Sequence, residues 1–443
     1  MVNSHKTGGE FVQRGTYGCV FRPPLKCSNP SSGFFRRRSK VDLNAKFKTG
    51  YVSKLMTDAN FNNEIYEVIA ISNALKLQHA DMAWQKKYLV LPLQEDGCVI
   101  DIKNKDNIKD INDSNWPHPD PKKQRANCNF TVDDITKKVK NYRVLNQVDG
   151  GVDLKKYLEQ KGSMNDAMFH TFNTALIDLV VNGVYKLNNF GIYHFDIKTT
   201  NIVYNESEDQ MRLIDWGFAR YINKTQIITP DDYNVVLNQL QVPGTLYYGS
   251  SFGNALITHN FNKIQEETDW EALEAYDTSH LTQLDSYDKN GRMKQILIHN
   301  YKAIVAQNQL EYFKTVYLPN NDLFSVILMY REIYNYIESD VIRNKIDALI
   351  ETYLLTDKYS KEAYNIIEVV GALYNLSDGI VPEEPLFPWS VDGDSPGKAS
   401  GRTRKRTVKR KRKRKRKTKH KRHGRQRRGS RRGRASKKGR GLY

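Results

Sequence analysis

Apolar residues alternate with polar ones in FVQRGTYGCVFR (11–22), on either side of a glycine turn, which predicts two strands. Residues 23–50 hold PP, NPSSG and RRR and read as an irregular insertion. YVSKLM (51–56) predicts a strand. NEIYEVIAISNALKL (63–77) has helical spacing, and YLVLPL (88–93) reads as another strand. The polar stretch 101–138, with WPHPDPKK, reads as a second insertion, and YRVLNQV (142–148) as a strand closed by a DGG turn. The pattern then changes. MFHTFNTALIDLVVNGVYKLNNFG (168–191) predicts a long buried helix, and MRLIDWGFARYI (211–222) a strand running into a loop. Residues 250–320 are mixed and charged, whereas 321–337 and 341–355 are helical in period. Strands first and helices after predict an α+β fold: a small β-rich lobe, a larger helical lobe and a cleft between them.

Composition refines this picture. Of the 69 Lys and Arg, 26 lie from Lys398 onward, where there is no Asp or Glu. The other 43 face 50 acidic residues, a net of −7, so the basic run alone makes the chain basic. That run, RTRKRTVKRKRKRKRKTKHKRHGRQRRGSRRGRASKKGR (402–440), repels itself and is expected to be disordered. With no aromatic residue before Tyr443, it suits non-specific nucleic acid or another polyanion, or nuclear import. Cys19, Cys27, Cys98 and Cys128 form no C-x-x-C pair and no zinc spacing, so reduced thiols are expected. No signal-peptide pattern and no membrane-length apolar run is present, so a soluble chain with no membrane partner, not secreted, is expected.

The candidate chemistry lies in YHFDIKTTNIVYN (193–205). An ionisable run, HFDIK, is set between apolar flanks, where charges are costly unless they satisfy one another or do chemistry. His194, Asp196, Lys198 and Asn201 are followed, after thirteen intervening residues, by Asp215 in IDWG. This arrangement resembles the catalytic loop H-R-D-x-x-x-x-N and metal motif D-F-G of eukaryotic-type protein kinases. The resemblance covers about residues 11–380 and implies ATP and Mg2+ as cofactors and a protein substrate. Asp196 would accept or orient the acceptor's proton, Lys198 would sit near the transferring phosphate, and Asn201 and Asp215 would hold magnesium.

Other positions follow from the same resemblance. QRGTYGCV (13–20) matches the glycine-rich loop at Gly15, Gly18 and Val20, with Gln13 in place of the first glycine. Lys54 would hold the α- and β-phosphates, paired with Glu64 or, one turn on, Glu67. Leu145 would back the adenine pocket, and backbone groups from Asn146 to Val148 would bond the adenine edge. Asp322 would brace the catalytic loop. The implied division is an N-lobe at 11–148 with insertions 23–50 and 101–138, a C-lobe at 149–380 with an insertion about 250–320, and a linker and basic tail at 381–443.

Departures from the motifs sharpen the expectation. Phe195 replaces the arginine of H-R-D, which argues against switching by activation-segment phosphorylation. No A-P-E follows QVPGTLYYGSSF (241–252). Such divergence resembles kinases of large DNA viruses, which places the chain in host cytoplasm or nucleus, or in a virion. The expectation is a Ser/Thr protein kinase, with Ser430 and Ser436 in the basic run as self-phosphorylation sites. The rivals are a small-molecule kinase of the aminoglycoside or choline type, which Lys198 opposes, and a pseudokinase scaffold whose tail binds nucleic acid.

Overall fold

The computed structural model describes residues 10–14, 18–28, 50–92, 97–115, 128, 130–240, 309–356 and 358–377. The basic run, Ser430, Ser436, Gly15, residues 241–252 and most of the 250–320 stretch lie outside the described residues.

β1 (Glu10–Arg14), β2 (Gly18–Arg22) and β3 (Tyr51–Thr57) pair in antiparallel succession. At Gly18 an added Cβ would meet the Leu55 carbonyl oxygen at 2.4 Å, so only glycine allows this approach of β2 to β3. β3 passes directly into α1 (Asp58–Leu77), whose N-cap is the Thr57 hydroxyl, accepting from the Asn60 amide. That cap starts the helix five residues before the span 63–77 predicted from its period. α1 buries Phe61, Glu64, Ile65, Val68, Ile71, Ala74 and Leu75 along one face.

The predicted strand at 88–93 does not form over 88–92, and residue 93 lies outside the described residues. Tyr88 ends α2 (Met82–Tyr88), and Leu89 makes only an isolated parallel bridge to Leu213. Tyr88, Leu89 and Val90 are all buried. A short continuous apolar run of this kind does not tell strand from helix end.

β4 (Gly97–Cys98) is followed by α3 (Lys105–Asn115), α4 (Val132–Lys137) and β5 (Tyr142–Val148). The sheet order is β1-β2-β3-β5-β4. The stretch 101–138 therefore contains two helices rather than only irregular chain. The buried stripe of α3 is Asn107, Asp110, Ile111 and Ser114, helical in spacing but mostly polar, which hides it from a search for apolar periods. Asn107 satisfies both backbone groups of Lys26, accepting from its amide and donating to the Lys26 and Asp101 carbonyls.

The two faces of the sheet differ. Phe21, Leu55 and Val144 pack with Leu25, Ile100, Ile111 and Ile135 on the side of α3 and α4, while Met56 and Leu145 meet Phe61 and Ile65 of α1 on the other. All four cysteines are paired, which overturns the expectation of reduced thiols. Cys19 joins Cys128 and Cys27 joins Cys98, with Cα atoms 5.7 and 5.8 Å apart. The partners are 109 and 71 residues apart in sequence, so no local spacing announced them.

Beyond the sheet come β6 (Val152–Asp153), α5 (Leu154–Lys161) and α6 (Asp166–Asp178). α6 runs through a wide π turn (Leu179–Tyr185) into α7 (Lys186–Asn189). β7 (Ile192–Tyr193), β8 (Ile202–Asn205), β9 (Gln210–Leu213) and β10 (Arg220–Tyr221) form two small sheets, β6-β8-β9 and β7-β10. α8 (Pro230–Leu240), α9 (Gln309–Tyr312), α10 (Leu318–Tyr334), α11 (Asp340–Tyr353) and α12 (Ile366–Leu376) complete the described α-helices. α10 is buried nearly all round and passes through the largest apolar cluster. Among the described residues, no helix is long and apolar enough to cross a membrane.

Candidate active site

The site is built from loops held at the ends of short strands. After β7 the chain turns sharply: Phe195 adopts φ +59°, a left-handed conformation unusual for a bulky residue. Asp322 of α10 supports that turn, its two carboxylate oxygens accepting from the amides of His194 (2.8 Å) and Phe195 (3.0 Å). Asn188 also donates to Asp322, at 3.1 Å. Burial pushes the Asp322 carboxyl up to about 6, against the pull of the two backbone amides. The Phe195 ring stacks on Tyr317 in an apolar cluster, so no arginine stands at this position.

The turn presents Asp196. Both of its carboxylate oxygens accept from the Lys198 ammonium at 2.8 Å. The Asn201 amide nitrogen donates to the Asp196 carbonyl (2.8 Å) and to its Oδ2 (2.7 Å). Asp196 is buried while Lys198 is partly open, so the carboxylate is oriented from inside the loop. Burial raises the Asp196 carboxyl to about 6, opposed by Lys198.

The second loop follows the β8–β9 hairpin. The Ile214 amide donates to the Asn201 carbonyl at 3.0 Å, tying the two loops together. Asp215 adopts φ +63°. Trp216 is fully buried, donates from Nε1 to the Val90 carbonyl at 2.8 Å and lies against His194. The His194 ring meets the Ile214 carbonyl at 3.0 Å, and burial lowers its pKa to about 4, so it is neutral.

The sheet supplies the third part. Lys54 of β3 places Nζ 2.7 Å from Glu64 Oε2 and 3.2 Å from Asp215 Oδ1. Burial disfavours its charge, but Asp215 and Glu64 outweigh that and hold its pKa above the usual lysine range. Burial likewise pushes the Asp215 carboxyl up, yet Lys54 holds it below the usual carboxylate range. Glu67, the alternative partner for Lys54, pairs instead with Arg220 at 3.2 Å. Nothing in the sequence singled out Arg220.

The remaining expected residues are placed as follows. Gly18 and Val20 lie on β2, and Val20 pairs with Lys54 across the sheet. Leu145 is opposite Lys54 on β5, fully buried against α1. The Asn146 side chain points to the opposite face, near the sulfurs of Cys27 (3.7 Å) and Cys98 (4.0 Å). Val148 is exposed at the end of β5. A link not foreseen joins β2 to the chain after β5: Arg22 bonds Asp149 at 2.6 Å and the Gly151 carbonyl at 2.8 Å.

Among the described residues, no group of three or more His, Cys, Asp or Glu is placed to hold a metal. Asn201 and Asp215, joined through the Ile214 amide, offer side-chain oxygens, since the Asn201 nitrogen is used on Asp196. Two hard oxygen donors fit a magnesium ion that also keeps waters and phosphate oxygens.

The arrangement thus joins a buried lysine, a loop carboxylate with a neighbouring lysine, and an Asn–Asp oxygen pair. A family model described as the protein kinase domain matches residues 130–250. The chain is protein-kinase-like over that segment, which contains Asp196, Lys198, Asn201 and Asp215 but neither the β1–β3 strands nor α10 to α12. The mixed α/β architecture fits a kinase-like fold. No curated protein matches the chain.

Proposed function

We propose that the protein is a Ser/Thr protein kinase that transfers the γ-phosphate of MgATP to protein hydroxyls from a cleft between a β-rich and a helical lobe. The observation that carries this reading is the Lys54 ammonium held between Glu64 (2.7 Å) and Asp215 (3.2 Å), across 161 residues of chain from Asp215. A buried lysine already bonded to two carboxylates is set to meet phosphate oxygens at the same ammonium. Asp196 orients the acceptor hydroxyl and takes its proton, and Lys198, bonded to Asp196, adds positive charge beside the transferring group. Asn201 and Asp215 would hold magnesium, which neutralises charge on the phosphates. Serine and threonine as acceptors follow from the Asp-x-Lys-x-x-Asn resemblance. The basic run 402–440 acts as a polyanion-binding or substrate-recruiting arm.

The test compares the full chain with its Asp196→Asn variant, following γ-phosphate transfer from MgATP to casein, to histone and to the chain itself. Transfer is expected from the wild type and absent from the variant. Transfer that persists in Asp196→Asn removes the proposed base. No transfer from the wild type, with ATP binding intact, points to a scaffold instead.

A further inference from the structure

We propose that Arg220 and Glu67 form a positioning clamp that holds α1 in place for phosphoryl transfer without phosphorylation of the activation segment. The inference rests on the kinase reading above. Arg220 Nη1 lies 3.2 Å from Glu67 Oε2, and each side chain is only 17% exposed. The same nitrogen donates to the Ala219 carbonyl at 2.9 Å, which fixes the guanidinium from behind. Glu67 stands one turn after Glu64 on α1, so both carboxylates share a helix face. Rotating α1 far enough to part Glu64 from Lys54 therefore breaks the Glu67–Arg220 pair as well.

Arg220 also reaches the catalytic loop. It lies five residues after Asp215, and on β10 it pairs with Tyr193 of β7, the residue before His194. One residue thus links α1, through its side chain, to both loops of the site, through its backbone. A phosphate-dependent switch needs a cation at the position Phe195 occupies, and that ring packs on Tyr317 instead. A permanent carboxylate on α1 and a permanent guanidinium after Trp216 replace it.

The experiment uses the full chain as wild type, Arg220→Met, Arg220→Lys and the exchange Glu67→Arg/Arg220→Glu. Arg220→Met should lower kcat about tenfold or more and raise the KM for ATP, with the KM for casein unchanged. Arg220→Lys and the exchanged pair should each recover part of that loss. Hydrogen exchange across residues 58–77 should quicken in Arg220→Met without nucleotide. Phosphatase treatment should leave the wild-type rate intact. A wild-type rate and unchanged exchange in Arg220→Met would overturn the clamp, as would loss of wild-type activity on phosphatase treatment. A wild type that transfers no phosphate, in a protein whose α1 still loosens in Arg220→Met, defeats the kinase reading and leaves Arg220 and Glu67 as a structural tether of α1, not a clamp for phosphoryl transfer.

Discussion

Asp196 carries a pH dependence in its surroundings. Burial raises its carboxyl to about 6 against the pull of Lys198, above the ordinary aspartate value of 3.8. A base has to begin ionised, and Asp196 takes up its proton as pH falls through about 6. The rate constant kcat/KM should therefore rise as pH climbs through about 6 and level off above it, read from a pH–rate profile between about 5 and 8. A profile flat across that span would mean that Asp196 is not the titrating base. At this scale the sequence was most legible where chemistry is local: His194 to Asn201 fall within eight residues and Asp215 soon after. Pairings made by folding were harder. Lys54 could be assigned to either Glu64 or Glu67 because both lie on one helix face, and only packing assigns Glu67 to Arg220. The bond from Arg22 to Asp149 left no local trace at all.

Elements depend on single bonds at their junctions. The Trp216 indole donates to the Val90 carbonyl at 2.8 Å, while the Val90 amide donates to the Leu213 carbonyl at 3.0 Å. The stretch after α2 is thus fastened to β9 and to the loop holding Asp215. Trp216→Phe removes the donor, leaves a buried carbonyl without it and opens space beside His194. A loss of about 1–3 kcal/mol in urea unfolding is expected. A variant as stable as the wild type would show that the bond contributes nothing net. Helices with apolar stripes were visible in the sequence, as at 321–337 and 341–355 against α10 and α11. α3 was not, because its buried stripe is Asn107, Asp110, Ile111 and Ser114. The start of α1 was missed because residues 58–62 hold one large apolar side chain, Phe61, too few to show a period, while the Thr57 cap sets where the helix begins.

For the molecule as a whole, local period marked several strands and helices but not their interleaving, since α1 to α4 lie between β3 and β5, and β7 to β10 lie between α7 and α8. Which cysteines are cross-linked was not legible, because the pairs close only when β2 meets Cys128 and Cys27 meets β4. Closing loops of this length contributes about 2–5 kcal/mol each by restricting the unfolded chain. Thermal unfolding should therefore shift downward in excess thiol, and the Cys27→Ser/Cys98→Ser variant should show part of that shift without it. An identical melting temperature with and without thiol would count against both bridges. The order of the pairs has its own result. Cys19–Cys128 encloses Cys27–Cys98, so this part of the chain is two rings, one inside the other. A single backbone cut anywhere between Cys27 and Cys98 releases no fragment, because each piece is tied to the other twice. Such a molecule keeps its full mass on a non-reducing gel and separates into two only when thiol is added.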